Sequence, residues 1–111
     1  MNVEQYVRQI ITVKRDKAKQ AAQFYERMYN QHIRLSAERA AMYLDDADPE
    51  QPVPGFTLAI LRMGESEKKL REAWIEEPNK TLMYYENLLT DTHAMQKFID
   101  RHISNEKTRA K

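Results

Sequence analysis

Residues 45–56 read D-D-A-D-P-E-Q-P-V-P-G-F, and no other part of the chain resembles them. Three of the four prolines and one of the two glycines fall here, among four carboxylates. The stretch is a metal loop, a docking peptide, a linker or a corner between helices, and the choice decides how both flanks are read. Asp46, Asp48 and Glu50 have the alternate spacing of a calcium loop of the EF-hand kind. Its sixth and twelfth positions, however, hold Gln51 and Thr57 instead of Gly and Glu, and Pro49 sits at the fourth. Pro49 and Pro52 form a P-x-x-P suited to polyproline II, without the flanking basic residue a docking motif of that kind carries. The structural reading fits best. Asp48-Pro49-Glu50 has the form of a helix start, with a capping Asp and a proline first. Pro52 and Pro54 end that turn at once by holding the residues before them extended. Residues 45–56 are therefore read as a short, stiff hinge inside one domain.

Upstream of the hinge, residues 1–48 contain neither Pro nor Gly. Glycine costs about 1 kcal/mol and proline about 3 kcal/mol inside a helix, so their absence argues for helix. Val3, Val7, Ile10/Ile11, Ala18, Ala22, Tyr25, Tyr29, Ile33, Ala40 and Leu44 recur at helical spacings and form a one-sided apolar stripe. The stripe fades at Lys14-Arg15-Asp16-Lys17, the expected place for any break, with Asp16 as the cap of a second helix. V-R-Q-I-I-T-V (7–13) and F-T-L-A-I-L (56–61) also suit strands, but helix is the reading for both.

Downstream, a helix is expected from an N-cap at Thr57, with Phe56 and Leu61 forming a hydrophobic staple. Its stripe runs Phe56, Ile60, Met63, Leu70, Trp74, and Gly64 points away from it. Glu76-Glu77 at its end oppose the helix dipole. Pro78-Asn79 is read as the stop, and Asn79 as the cap of a helix reaching residue 103 through Leu82, Tyr85, Leu88/Leu89, Met95, Ile99 and Ile103. The fold class is all-α: a long N-terminal helix plus an antiparallel helical pair, a three- or four-helix bundle over residues 1–103. Residues 104–111 form a polar, fraying tail.

A helix over residues 2–44 would be roughly 64 Å long, against roughly 32 and 36 Å for the other two. A compact domain of this size has a radius of gyration near 13–14 Å. An antiparallel pair then covers only half of the long helix, leaving residues 2–17 to fold back or to meet another chain. A homodimer is the expectation, with Tyr6, Ile10 and Ile11 at the interface. Tyr84, beside Tyr85 on the third stripe, is an outlying contact for a protein partner.

Composition excludes much chemistry. There are no cysteines, hence no disulfide, thiolate nucleophile or cysteine-ligated metal. The N-terminus has no secretory pattern and neither end a lipidation signal, so a cytoplasmic location is expected. His32 and His93 have no ligand partner three or four residues away; His102 has only Glu106. Ser36, Ser66 and Ser104 lie in no nucleophile motif, and two glycines build no phosphate-cradling loop. No enzyme, cofactor or metal is expected. Net charge is +1, yet residues 1–39 carry eight Lys/Arg and four Asp/Glu while residues 40–80 carry five and nine. Packing of a basic helix beside an acidic one accounts for this layout. The leading functional reading is a small helical protein–protein interaction module, an adaptor, regulatory subunit or inhibitor. The alternative is nucleic-acid binding through Lys14, Arg15, Lys17 and Lys19. A helix-turn-helix over 66–89 is set aside, because T-L-M-Y-Y-E-N-L-L presents no Arg or Lys to bases.

Overall fold

The computed structural model describes residues 2–104, and every regular element among them is helical. Helix α1 spans Val3–Ala41 and continues into a 3-10 turn at Met42–Leu44. Helix α2 is Phe56–Arg71, α3 is Glu77–Thr90 and α4 is Thr92–Ile99. The all-α class holds, and both segments that also suited strands lie in helices. The tail beyond Ser104, with Glu106, lies outside the described residues. No helix among those described is long and apolar enough to cross a membrane.

Four sequence expectations are corrected by the backbone. The break near residues 14–17 is absent, since α1 runs through Lys14-Arg15-Asp16-Lys17. Lys and Arg are good helix formers, and Arg15 meets its neighbour Asp16 at 2.9 Å, so the charges interrupt the apolar stripe without breaking the helix. The start of α1 is held by a reciprocal cap. Asn2 N–H donates to the Gln5 side chain at 3.0 Å, and Gln5 N–H donates to Asn2 Oδ1 at 2.9 Å.

The second correction concerns the start of α2. Gly55, not Thr57, precedes the helix, with φ of 81°, and Leu61 lies exposed, so no staple forms. Upstream, the Asp48 carboxylate accepts from Glu50 N–H and its carbonyl from Gln51 N–H, closing a single turn instead of starting a helix.

Pro78 does not stop a helix, which is the third correction. Helical backbone passes from α2 through a π turn at Glu72–Glu76 directly into α3. Glu77 N–H donates to the Glu72 carbonyl, five residues back. That wider turn precedes a residue with no N–H to offer and a ring that would crowd the Trp74 carbonyl in a regular α-helix. The helix does not end at Glu77, so the apparent clash of Glu76-Glu77 with a helix C-terminus disappears.

The fourth concerns residues 80–103, which are two helices. Asp91 leaves helical geometry (φ −105°, ψ 106°) and its carboxylate accepts from His93 and Ala94 N–H at 2.9 and 3.2 Å. It is an ordinary Asp N-cap, hidden in the sequence because the apolar period continues across it.

Two units make up the chain. One comprises residues 1–21 with 79–111, and its described part holds the larger core: Val7, Ile11, Leu88, Met95 and Ile99 are buried. Tyr85, Leu89, Ala94, Phe98 and Ile103 pack around them. The Arg8 guanidinium donates to the Leu89 carbonyl at 3.1 Å and to Glu4 at 3.2 Å, joining α1 to one of the free carbonyls at the end of α3. The other unit, residues 22–78, is a helical hairpin of α1 and α2 with only Ala22 and Ala40 buried. There, the Tyr29 hydroxyl and the Arg71 guanidinium both donate to Glu67 Oε1, and Trp74 meets His32 edge-on. Hydrogen bonding with Tyr29, then the Glu67 charge, holds the Arg71 guanidinium above its ordinary pKa.

The two glycines should respond to alanine with opposite signs. At Gly55 an added Cβ would sit 3.2 Å from the Tyr43 ring on a backbone with φ of +81°. Gly55→Ala is expected to destabilise by about 1–2 kcal/mol. Gly64 has open space where its Cβ would go and normal helical backbone, so Gly64→Ala is expected to stabilise by about 0.5–1 kcal/mol. Urea unfolding of both variants measures the two signs. In the core, Met95 is 1% exposed, and Met95→Ala is expected to cost about 2–5 kcal/mol on the same assay. The same truncation at Met83, 66% exposed, should stay within about 0.5 kcal/mol.

Candidate interaction surface

On α1, residues at spacings of three, four and three return to nearly the same side of the helix. Val3, Tyr6, Ile10 and Val13 have those spacings and fall within about 80° of one another. All four are large apolar side chains left more than half exposed: 51%, 55%, 59% and 53%. The adjoining face of the same helical segment carries Val7 and Ile11 into the core. Two apolar faces therefore share one stretch of helix, and α3 and α4 cover only one of them. Lys17, four residues after Val13 and exposed, ends the uncovered face with a charge. The exposed patch amounts to apolar surface on the order of 400 Å², the size at which the largest patch on a soluble monomer tends to be functional.

This placement divides the residues read as an interface from sequence. Tyr6 and Ile10 stand on the exposed face. Ile11 does not, since it is 2% exposed in the core, and its assignment to an interface is corrected. Adjacent residues on a helix point about 100° apart, so Ile10 and Ile11 cannot serve one surface together. Residues 2–17 are also less bare than the length argument implied. Because helix continues past Pro78, α3 and α4 supply a partner for one face of this segment. Tyr84 is 52% exposed and meets Tyr85 edge-on, with ring centroids 5.3 Å apart, while Tyr85 packs against the core. Val3 and Val13 complete the patch; their spacing was visible in the sequence, but not which side of the helix would be covered.

Lys14, Arg15, Lys17 and Lys19 do not gather on one side. Arg15 and Lys17 are two residues apart and so point about 200° away from each other around α1. Lys14 and Lys17 flank the exposed apolar face, whereas Arg15 and Lys19 lie across the helix from Lys17, and Arg15 is paired with Asp16. Arg8 is occupied by Glu4 and the Leu89 carbonyl. A phosphate backbone approaching from one direction meets about half of the cluster.

Among the described residues, no group of three or more His, Asp or Glu is placed to hold a metal ion. No described buried side-chain nitrogen or oxygen lacks a hydrogen-bond partner. In the second unit, His32, Ser36 and Ser66 line a common hollow between α1 and α2. No family model, curated protein or solved structure matches this chain.

Proposed function

We propose that this chain is a non-enzymatic helical interaction module that acts by pairing the N-terminal face of α1 with another protein, in the first instance a second copy of itself. The observation that carries the reading is the uncovered face of Val3, Tyr6, Ile10 and Val13, each more than half exposed. The three-four-three spacing is the seam spacing of paired helices, in which each side chain fits between residues of the facing helix. A self-complementary patch of this kind suits a two-fold contact, where the same residues meet from both sides.

Size supports the same occupant. A standard interface buries about 800 Å² per partner, of which about 56–65% is apolar. The apolar part of such an interface is thus close to the patch of roughly 400 Å² on α1. Exposed Lys14 and Lys17 beside the patch supply polar groups for the rest. Catalysis finds less support. The ring contact of His32 is Trp74, with centroids 6.3 Å apart, and not a serine hydroxyl it would activate.

Light scattering after size exclusion tests the reading. The intact chain is expected at about twice 13.2 kDa. Tyr6→Asp with Ile10→Asp is expected to shift the mass to that of a monomer while leaving helical circular dichroism intact, since neither side chain is in the core. Ile11→Asp should behave differently, unfolding the first unit because it places a charge among Val7, Leu88 and Met95. A wild-type monomer at all accessible concentrations removes self-pairing. A dimer that survives the double substitution at Tyr6 and Ile10 removes this face.

A further inference from the structure

Between α1 and α2 lies a hollow of about 410 Å³, entirely within the unit of residues 22–78. Its walls have the same construction on both sides. Ser36, Ala40 and Tyr43 succeed one another along the first helical strand, and Ala59, Met63 and Ser66 along the second, at spacings of four and three in both. Positions that face a neighbouring helix usually carry large side chains. Here Ser36, Ala40, Ala59 and Ser66 are small, so the helices meet without filling the space between them.

Two arginines stand in this wall, Arg39 from α1 and Arg62 from α2, and no Asp or Glu lines the hollow. Arg8, Arg15, Arg34 and Arg71 each pair with a carboxylate. Arg39 and Arg62 have no such partner among the described residues. The end of α1 and the start of α2 carry partial charges of opposite sign near the hollow, and these offset each other. The guanidinium groups therefore set its sign. Hydroxyls of Ser36, Ser66 and Tyr43 add donors beside them, and Met63, Ala40 and Ala59 give an apolar floor.

We propose that this hollow binds a small organic phosphate monoester, its phosphate held between Arg39 and Arg62 and its organic part laid on Met63, Ala40 and Ala59. Two guanidinium groups match the charge of a phosphate dianion, and each presents a planar fork suited to a pair of its oxygens. Serine hydroxyls serve the oxygens left over. The volume falls within the range of small-molecule sites. The proposal is independent of the pairing face on residues 3–13.

Trp74 gives the readout. It is the single tryptophan of the chain, and it contacts His32, which lines the hollow. The probe is phenyl phosphate, followed by Trp74 fluorescence and by titration calorimetry, with phenol, benzoate and inorganic phosphate as comparators. Saturable binding of phenyl phosphate is expected, at least about tenfold tighter than phenol or benzoate. Arg39→Gln and Arg62→Gln should each weaken it about tenfold or more, through loss of charge-assisted hydrogen bonds. Arg34→Gln, outside the hollow and paired with Glu38, should leave it unchanged. Both arginines are exposed, so circular dichroism of the variants should match the wild type. Inorganic phosphate binding as tightly as phenyl phosphate would overturn the role of the apolar floor, and with it the ester. No saturable signal by either method, or equal binding by the Arg39 and Arg62 variants, overturns the site.

Discussion

A single backbone hydrogen bond, from Glu77 N–H to the Glu72 carbonyl, marks the constraint on which the rest of this structure turns. Proline normally ends a helix from its third or fourth residue onward, because it offers no N–H and crowds the carbonyl four residues back. A chain obeying that rule at Pro78 would place Tyr85, Leu88 and Leu89 on a separately started helix. The π turn widens the backbone by one residue just before the proline, so helix continues to Thr90.

The two units use their buried space differently. Around residues 3–21 and 79–103, β-branched, Leu and Met side chains fill the core, and Arg8 bonds the Leu89 carbonyl at the corner before α4. Residues 22–78 bury alanines, and Tyr29 with Glu67 and His32 with Trp74 add one polar and one aromatic contact across the hairpin. Burial of a large apolar side chain contributes about 1.5–3 kcal/mol, several times what an alanine methyl supplies. Stability should therefore reside mainly in the first unit. A hairpin held by small residues keeps room between its helices, and room is what a ligand site requires. Packing economy and binding capacity are opposed here, and the sequence divides them between the units.

How much of this was legible in the sequence follows from which forces act locally. The helices themselves were legible, because forty-eight residues without Pro or Gly, and stripes of period 3.6, have no other stable form. The charged run at Lys14–Lys17 misled, since loss of an apolar stripe reports on burial and not on backbone geometry. Pro78 misled for the opposite reason: its local rule was sound, and a π turn absorbed it. Asp91 was readable as a cap but was masked by apolar residues whose period survived the corner. Gly55 is required by its left-handed backbone, φ 81°, and also by Tyr43, whose ring lies 3.2 Å from the missing Cβ, a contact between residues twelve apart in the chain.

The candidate surfaces divide along the same line. The exposure of Tyr6 and Ile10 was legible because a helix this rich in apolar residues has more of them than one face can bury. Ile11 was placed beside them wrongly, since sequence cannot say which of two adjacent isoleucines a neighbour will cover. The spread of Lys14, Arg15, Lys17 and Lys19 around α1 was available from the start, since four cations within six residues of a helix must point to different sides of it. The hollow lay beyond sequence reading. Ser36, Arg39, Ala40 and Tyr43 look like an ordinary solvated stretch, as do Ala59, Arg62, Met63 and Ser66. Only the register of the hairpin shows that the two runs share one spacing and face one another. An arginine on each side then acquires a meaning that neither has alone, because two cations lining one hollow from separate helices offer an anion a pair of charge-assisted partners that the sequence does not show together.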